Sequence, residues 1–365
     1  MILKDFVQGI EGCWAMAQAE DFDNVGLLCG NPEREVTGVL VCHDALETVV
    51  DEAVAKGANV IICFHPIIFS GLKKLTGKTY VERAVMKAIE NKIAIYAVHT
   101  ALDNDYFGVN YRICEALGLK DQKVLMPKRN NLLQLAVYVP GSHLEAVREA
   151  LFSAGAGRIG FYDECGFSVT GEGTFRPLEG SSPFLGRQDE RTAAEEVMLT
   201  VVFEAYRQNS VVAAMKQAHP YEEVAYQVVR LENDHAYSGL GRYGELPEPM
   251  AEQDFLAFVK SVFGLAVIRH SGQEGRMIRR VGVLGGSGAS GIAAAKSVGC
   301  EAYLTGDLKY HDFFQAEGRM LLCDIGHFES ERFVVEQMFE VLSEKFTNFA
   351  VLKSEVNTNP VNYFI

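Results

Sequence analysis

The chain contains no apolar run approaching the roughly 20 residues needed to span a bilayer. Between Met1 and Asp21 it carries Asp5, Glu11 and Glu20, where a secretory signal needs an uninterrupted apolar region. Neither a membrane role nor export is expected, and a cytoplasmic location follows as the default. The eight cysteines include no CxxC pair, which argues against a thiolate zinc site and a redox dithiol. They are scattered through apolar segments such as Val41-Cys42 and Leu322-Cys323, and most are expected to be buried, reduced and structural. Cations are in deficit: 34 Lys and Arg stand against 48 Asp and Glu, giving a net charge of -14 and a pI near 5.2. Phosphate backbones are held by clustered Lys and Arg, so general nucleic-acid binding is not expected. An anionic substrate would need local help, from a bound metal or from a small group such as Lys73 and Lys74.

What is present is an ordinary globular composition, 48% hydrophobic and 22% charged over 365 residues, enough for two or three compact units. Val36 to Val98 alternates short apolar runs with helical patterns, the sign of βαβ units and a parallel sheet. Strands are expected at Val36 to Cys42, Asn59 to Phe64 and Ile93 to Val98, with helices at Leu46 to Lys56 and Tyr80 to Asn91. Each strand is followed at once by a histidine: His43, His65 and His99. Open α/β sheets bind ligands beyond the carboxyl ends of their strands, so that placement points to a site. The C-terminal part repeats the style, with strands at Arg280 to Leu284, Ala302 to Thr305 and Met320 to Ile325. Polar or glycine-rich ends follow them at Gly285 to Gly291, Gly306-Asp307 and Gly326-His327. The segment between the two parts has a different pattern, that of a ferredoxin-like α+β unit. The expected organisation is therefore a three-layer α/β core with a parallel or mixed sheet, formed by residues 1-127 and 238-365, with 128-237 inserted into it.

Several constellations carry chemistry. His99 and Asp103 leave the end of one strand four residues apart, a mixture of imidazole and carboxylate that suits a divalent ion. Strand and helix capping would explain the same two residues. His327 and Glu331 share one helix face at i and i+4, although a carboxylate is favoured at a helix N-terminus in any case. Pro66 ends the strand before it and leaves His65 at the tip. Gly286-Ser-Gly288-Ala-Ser-Gly291 formally matches GxGxxG, with Asp307 at the end of the next strand as an acid for a ribose. That loop lacks GK[ST], and a tight strand-to-helix turn explains it without a dinucleotide. His311 falls four residues after Asp307 and would share its face if a helix began there. His219 has no partner evident in the sequence, and His143, His235 and His270 sit in polar contexts that suggest solvation.

Taken together these residues resemble the GTP cyclohydrolase type 2 homologues, also called NGG-interacting-factor-like proteins. The resemblance rests on Asp23-Asn-Val-Gly-Leu27, His65-Pro66, His99-Thr-Ala-Leu-Asp103, Thr305-Gly-Asp-Leu-Lys-Tyr-His311, and Gly326-His327 with Ser330-Glu331. The insert is similar to the PII-like or CutA-like unit of longer bacterial members, through Gly155 to Gly160, Gly173 to Pro177 and His219 to Val224. The resemblance implies two divalent ions per chain, held by residues at His65, Asp103, His327 and Glu331, and a ring-shaped homo-hexamer. Zinc is the expected ion, with iron, manganese or magnesium admissible. The implied activity is hydrolysis of a nucleotide-like small molecule by metal-activated water, with His99 or His311 shuttling the proton. Many members have two adjacent histidines at the strand exit, whereas the first position here is Phe64, which leaves open what fills the gap. Two rival readings stand beside it: a metal-binding regulatory or scaffold protein with a ligand-sensing insert, and a dinucleotide oxidoreductase built on Gly286 to Gly291.

Overall fold

The computed structural model describes residues 1–272 and 274–364. The chain forms two compact units, one made of Met1–Met126 with the chain from Tyr237 onward, the other of Pro127–Ala236.

The first unit contains two mixed sheets. One is built from β1 (Gly26–Cys29), β2 (Gly38–Asp44), β3 (Val60–His65) and β4 (Ala94–Ala97), in the order β1-β4-β3-β2, with Ala350–Lys353 beyond β2. All are parallel except β1, which runs antiparallel to β4. Both faces of β2 and β3 are covered, which is why they read as unbroken apolar runs instead of alternating ones. On β3, Val60, Ile62 and Phe64 enter one core while Ile61 and Cys63 enter another, the period of two that a pleated strand imposes. Helices Glu47–Ala55 and Tyr80–Glu90 cover the second of these faces with Val49, Val50, Ala53, Ala84, Val85 and Ala88.

The second sheet has the order Arg269–His270, Leu321–Asp324, Ala302–Gly306, Met277–Ser287, His235–Ala251, Lys120–Lys128. Its three central strands from Met277 to Asp324 are parallel, flanked by antiparallel neighbours. Val281, Val283, Leu304, Leu321 and Cys323 share one hydrophobic core with Val39, Val41, Ile62 and Phe64 of the first sheet. Helices Leu3–Glu11, Val109–Ala116, Glu252–Phe263 and Val334–Lys345 contribute to the same core. A common core fixes the strand ends of both sheets relative to one another.

Element boundaries differ from the sequence expectation where the site lies. β2 and β3 do not stop before their histidines: they run through His43 and His65, and the register pairs Asp44 with His65. The ladder lasts until Pro66, which has no N–H to offer. His327–Glu331 is a separate five-residue helical turn, and the long helix starts only at Val334. No helix begins at Asp307, which is left-handed at φ 57; a 3-10 turn starts at Tyr310.

The second unit follows the order strand, helix, strand, strand, helix, strand, from Leu132–Pro140 to Tyr226–Arg230. Its antiparallel sheet places Thr192–Glu204 between Gly166–Phe175 and Leu132–Pro140, with Tyr226–Arg230 outermost. That is the ferredoxin-like arrangement, and it has its own core of Leu133, Leu135, Val137, Val147, Leu151, Leu199, Val201, Val211 and Met215. All eight cysteines are free, with Cys42, Cys63, Cys114, Cys300 and Cys323 buried. Among the described residues, no helix is long and apolar enough to cross a membrane.

Candidate metal centre

At the carboxyl ends of β2 and β3, imidazoles and carboxylates from both ends of the chain converge. His65 Nε2 lies 3.3 Å from His327 Nε2, and each is 3.4 Å from Glu331 Oε2. An ion bound tetrahedrally with ligands at about 2.0–2.1 Å holds any two of them about 3.3–3.4 Å apart. The three atoms thus already form one face of such a tetrahedron. Their other ring nitrogens are fixed by carboxylates: His65 Nδ1 by Asp44 at 2.9 Å and His327 Nδ1 by Asp307 at 2.7 Å. A proton donated from Nδ1 to a carboxylate leaves Nε2 with its lone pair free, the arrangement that orients metal-binding histidines.

His43 belongs to the same cluster. Its Nδ1 meets the second oxygen of Asp44 at 2.8 Å and its Nε2 meets Glu331 Oε2 at 3.0 Å. Two overlapping donor groups result, His43 with Asp44 and His65, and His65 with His327 and Glu331, the donor atoms of each lying within 4.8 Å of one another. Burial opposes a charge on His43, but hydrogen bonds to Asp44 and Glu331 outweigh it and push the ring up to about 9. His327 is likewise taken to about 10 by Glu331 and Asp307 against the effect of burial. Glu331, only 3% exposed, is held well below the carboxylate range despite burial by His327 and His43.

Asp103 lies at the end of the helical turn His99–Asp103 and is buried, and its Oδ1 has no hydrogen-bond partner among the described residues. Burial first, and then the charges of Glu331 and Asp23, push its carboxyl far above the usual range. A cation is the group that would satisfy a buried carboxylate placed among others. His99, with φ at 24, donates from Nδ1 to Asp23 Oδ1 at 2.8 Å, and its ring centre is 5.2 Å from that of His65. Asp23 also accepts from the backbone N–H and hydroxyl of Thr100. Burial raises Asp23, and these bonds more than reverse it, to about 2.

The loops around the cluster are fitted to it. A Cβ on Gly286, whose φ is 67, would stand 2.4 Å from Glu331 Oε1. One on Gly288 would meet Thr305 Oγ1, and one on Gly291 the hydroxyl of Tyr303, both at 2.2 Å. Side chains packed onto the glycine-rich stretch thus account for its glycines without a dinucleotide. Ser330 Oγ accepts from the N–H of Gly286 and donates to the carbonyl of His327, tying the loop to the helical turn.

His65, His327 and Glu331 are brought together, Asp103 feels the charges of Glu331 and His327, and His99 lies beside His65. His311 is not among them. It is exposed on the turn Tyr310–Ala316 against the rings of Tyr310 and Phe314, with no hydrogen bond to the cluster among the described residues. His219 is held in the insert, its Nε2 2.9 Å from the carbonyl of Tyr138. His235 is not solvated as its context suggested, but pairs with Glu204 at 3.4 Å. The sequence reading left His43, Asp44, Asp23 and Asp307 out of the ligand set. His43 was visible as a strand-end histidine, whereas the pairings of the three carboxylates depend on tertiary register.

The second unit holds a cleft of about 770 Å³ lined by Tyr138, Phe175, Arg176, Phe184, Glu196 and Tyr221 among others. The rings of Phe175 and Phe184 stand 6.2 and 6.0 Å from that of Tyr221, whose hydroxyl donates to Glu196 at 2.8 Å.

Comparison with known proteins agrees with this architecture. The family model Duf34/NIF3 (NGG1p interacting factor 3) matches residues 1–360. A GTP cyclohydrolase 1 type 2 homolog of Bacillus subtilis (strain 168) is 38% identical over 368 residues, 99% of this chain and 98% of the relative. The corresponding homolog of Halalkalibacterium halodurans is 39% identical over 351 residues, 94% of each. The solved structure of a Bacillus cereus protein related to NIF3 matches with a TM-score of 0.86 at 37% identity, covering 100% of this chain and 99% of that one. A Staphylococcus aureus protein structure follows at 0.79 and 29%, covering 100% and 99%. Alike in sequence and in fold over nearly its whole length, the chain belongs to the Duf34/NIF3 family.

Proposed function

We propose that this protein is a metal-dependent hydrolase that holds two divalent ions per chain through His65, Asp103, His327 and Glu331. The observation that carries the reading is the triangle of His65, His327 and Glu331, whose edges of 3.3 and 3.4 Å suit a zinc-sized ion. Imidazoles together with carboxylates favour zinc, and admit iron, manganese or magnesium. Asp103, buried and near enough to Glu331 and His327 to feel their charges, is the further donor in this reading, supported by its unpaired oxygen. Such ions supply a Lewis acid and lower the pKa of water towards neutrality.

The protein's own groups would do the rest. Asp44 and Asp307 hold the imidazoles in orientation, so that ring rotation is not lost at each turnover. His99, fixed by Asp23 and next to His65, is the residue suited to carry a proton through its remaining nitrogen. His311 stands apart from the cluster and is the weaker of the two candidates. The relatives' designation suggests a nucleotide-like substrate, with attack at the electrophilic C8 of a guanine ring. Assembly into a ring-shaped homo-hexamer and a cytoplasmic location belong to the same proposal.

Elemental analysis of wild type and Asp103→Ala tests the centre: stoichiometric metal is expected in the first and a loss in the second. Absence of stoichiometric metal, or metal indifferent to Asp103, would refute it. Turnover of GTP and related nucleotides by the metal-loaded protein tests the chemistry. A second reading, a regulatory protein whose insert senses a small molecule, draws support from the 770 Å³ cleft and its rings. Protein with two ions bound and no turnover would favour it.

A further inference from the structure

We infer that His43 is itself a metal ligand, supplied by β2 and completing the donor set that His65, His327, Glu331 and Asp103 begin. The inference rests on reading the cluster as a metal centre. His43 is 5% exposed, and both of its ring nitrogens face carboxylates. An ionised carboxylate only accepts hydrogen bonds, and a neutral imidazole has a single N–H to give. If that proton goes to Asp44, the lone pair of Nε2 points at Glu331 Oε2 from 3.0 Å, a repulsive contact in a buried place. Something positive must lie between or beside them, either a second proton or a cation.

The surroundings favour a cation. Asp44 divides its two oxygens between His43 Nδ1 and His65 Nδ1, so one carboxylate sets both rings in the same way. Both rings then send Nε2 to the same atom, Glu331 Oε2, at 3.0 and 3.4 Å, where His327 Nε2 also arrives. His43 is thus backed, oriented and aimed as His65 is, and a structure that makes one of them a ligand makes both. Nor does the neighbouring residue on β3 offer a donor. Phe64 is fully buried, with its ring 5.7 Å from that of His43 and 5.5 Å from that of His99. It fills the space between the histidines with hydrocarbon, and the nitrogen comes from the adjacent strand. With His43 counted, three imidazoles and two carboxylates are available to two ions, so the second ion is not left to water.

The test uses the full chain, loaded with zinc and freed of excess. His43→Gln keeps a side chain able to hydrogen-bond Asp44 and Glu331 but is a poor zinc ligand, so a merely structural role for His43 would survive it. His43→Leu removes both functions. Folding of each variant is read from circular dichroism and thermal unfolding. Metal is read by elemental analysis, by resistance to a chelator, and by the imidazole count from zinc X-ray absorption. The expected result is a fall from two ions per chain to one in both variants. One imidazole fewer should be seen, and the loss to chelator should be at least about tenfold faster. Two ions and an unchanged imidazole count in His43→Gln would overturn the inference while leaving the centre standing. Wild-type protein that takes up no zinc would overturn the reading of the centre itself.

Discussion

At the scale of single residues, Asp44 organises the cluster more than any other group. One carboxylate fixes two imidazoles on two strands, and it also accepts from the hydroxyl of Thr358 at 2.6 Å. Burial raises its carboxyl, and His43 and His65 override that and hold it far below the ordinary range. Asp44→Asn keeps the shape but can hold only one ring as an acceptor. Metal affinity is expected to fall about 10- to 100-fold with the fold intact, as measured by competitive chelation. The convergence of His65, His327 and Glu331 was legible because these residues follow a strand end, a glycine or a proline boundary that the sequence displays. Asp44 was not. Its role depends on lying opposite His65 in the β2–β3 register, and register is a property of two strands that no single stretch of sequence records.

Elements were legible to the extent that burial is uniform along them. β2 and β3 announce themselves as apolar runs because both faces are covered. The sequence reading ended them at Cys42 and Phe64, one step before their histidines, although the ladder carries both strands further. The same limit applies to the insert, where Glu204 ends its long strand Thr192–Glu204 beside His235. Burial raises the carboxyl of Glu204, but hydrogen bonds from His235 and Tyr206 prevail and bring it down to about 2. A carboxyl lowered by folding stabilises above its unfolded value and loses that contribution as pH falls through the folded one. The insert is therefore expected to lose up to about 3 kcal/mol between about pH 4.5 and 2 from this group. Glu204→Gln should flatten that part of the profile, which thermal unfolding of both proteins across the range would show.

In the molecule as a whole, the insert separates the two halves of the centre in sequence without disturbing its fold. Lys120–Lys128 and His235–Ala251, the strands that lead into and out of it, are neighbours in one sheet. Bringing their ends together therefore costs a short loop and little more. Replacement of residues 130–233 by a short glycine-serine turn is expected to leave the first unit folded and its metal content unchanged. Elemental analysis and thermal unfolding of the shortened chain check this. The discontinuous organisation was readable from the matching α/β character of both flanks, but the convergence of strand ends required the shared core.

His43 and Glu331 touch across 288 positions of chain. During synthesis the ribosome has therefore made β2, β3 and the entire insert before the residues that close the centre exist. No nascent or truncated chain that stops before His327 can bring these groups together, so any ion the centre holds is captured only after the insert has been made.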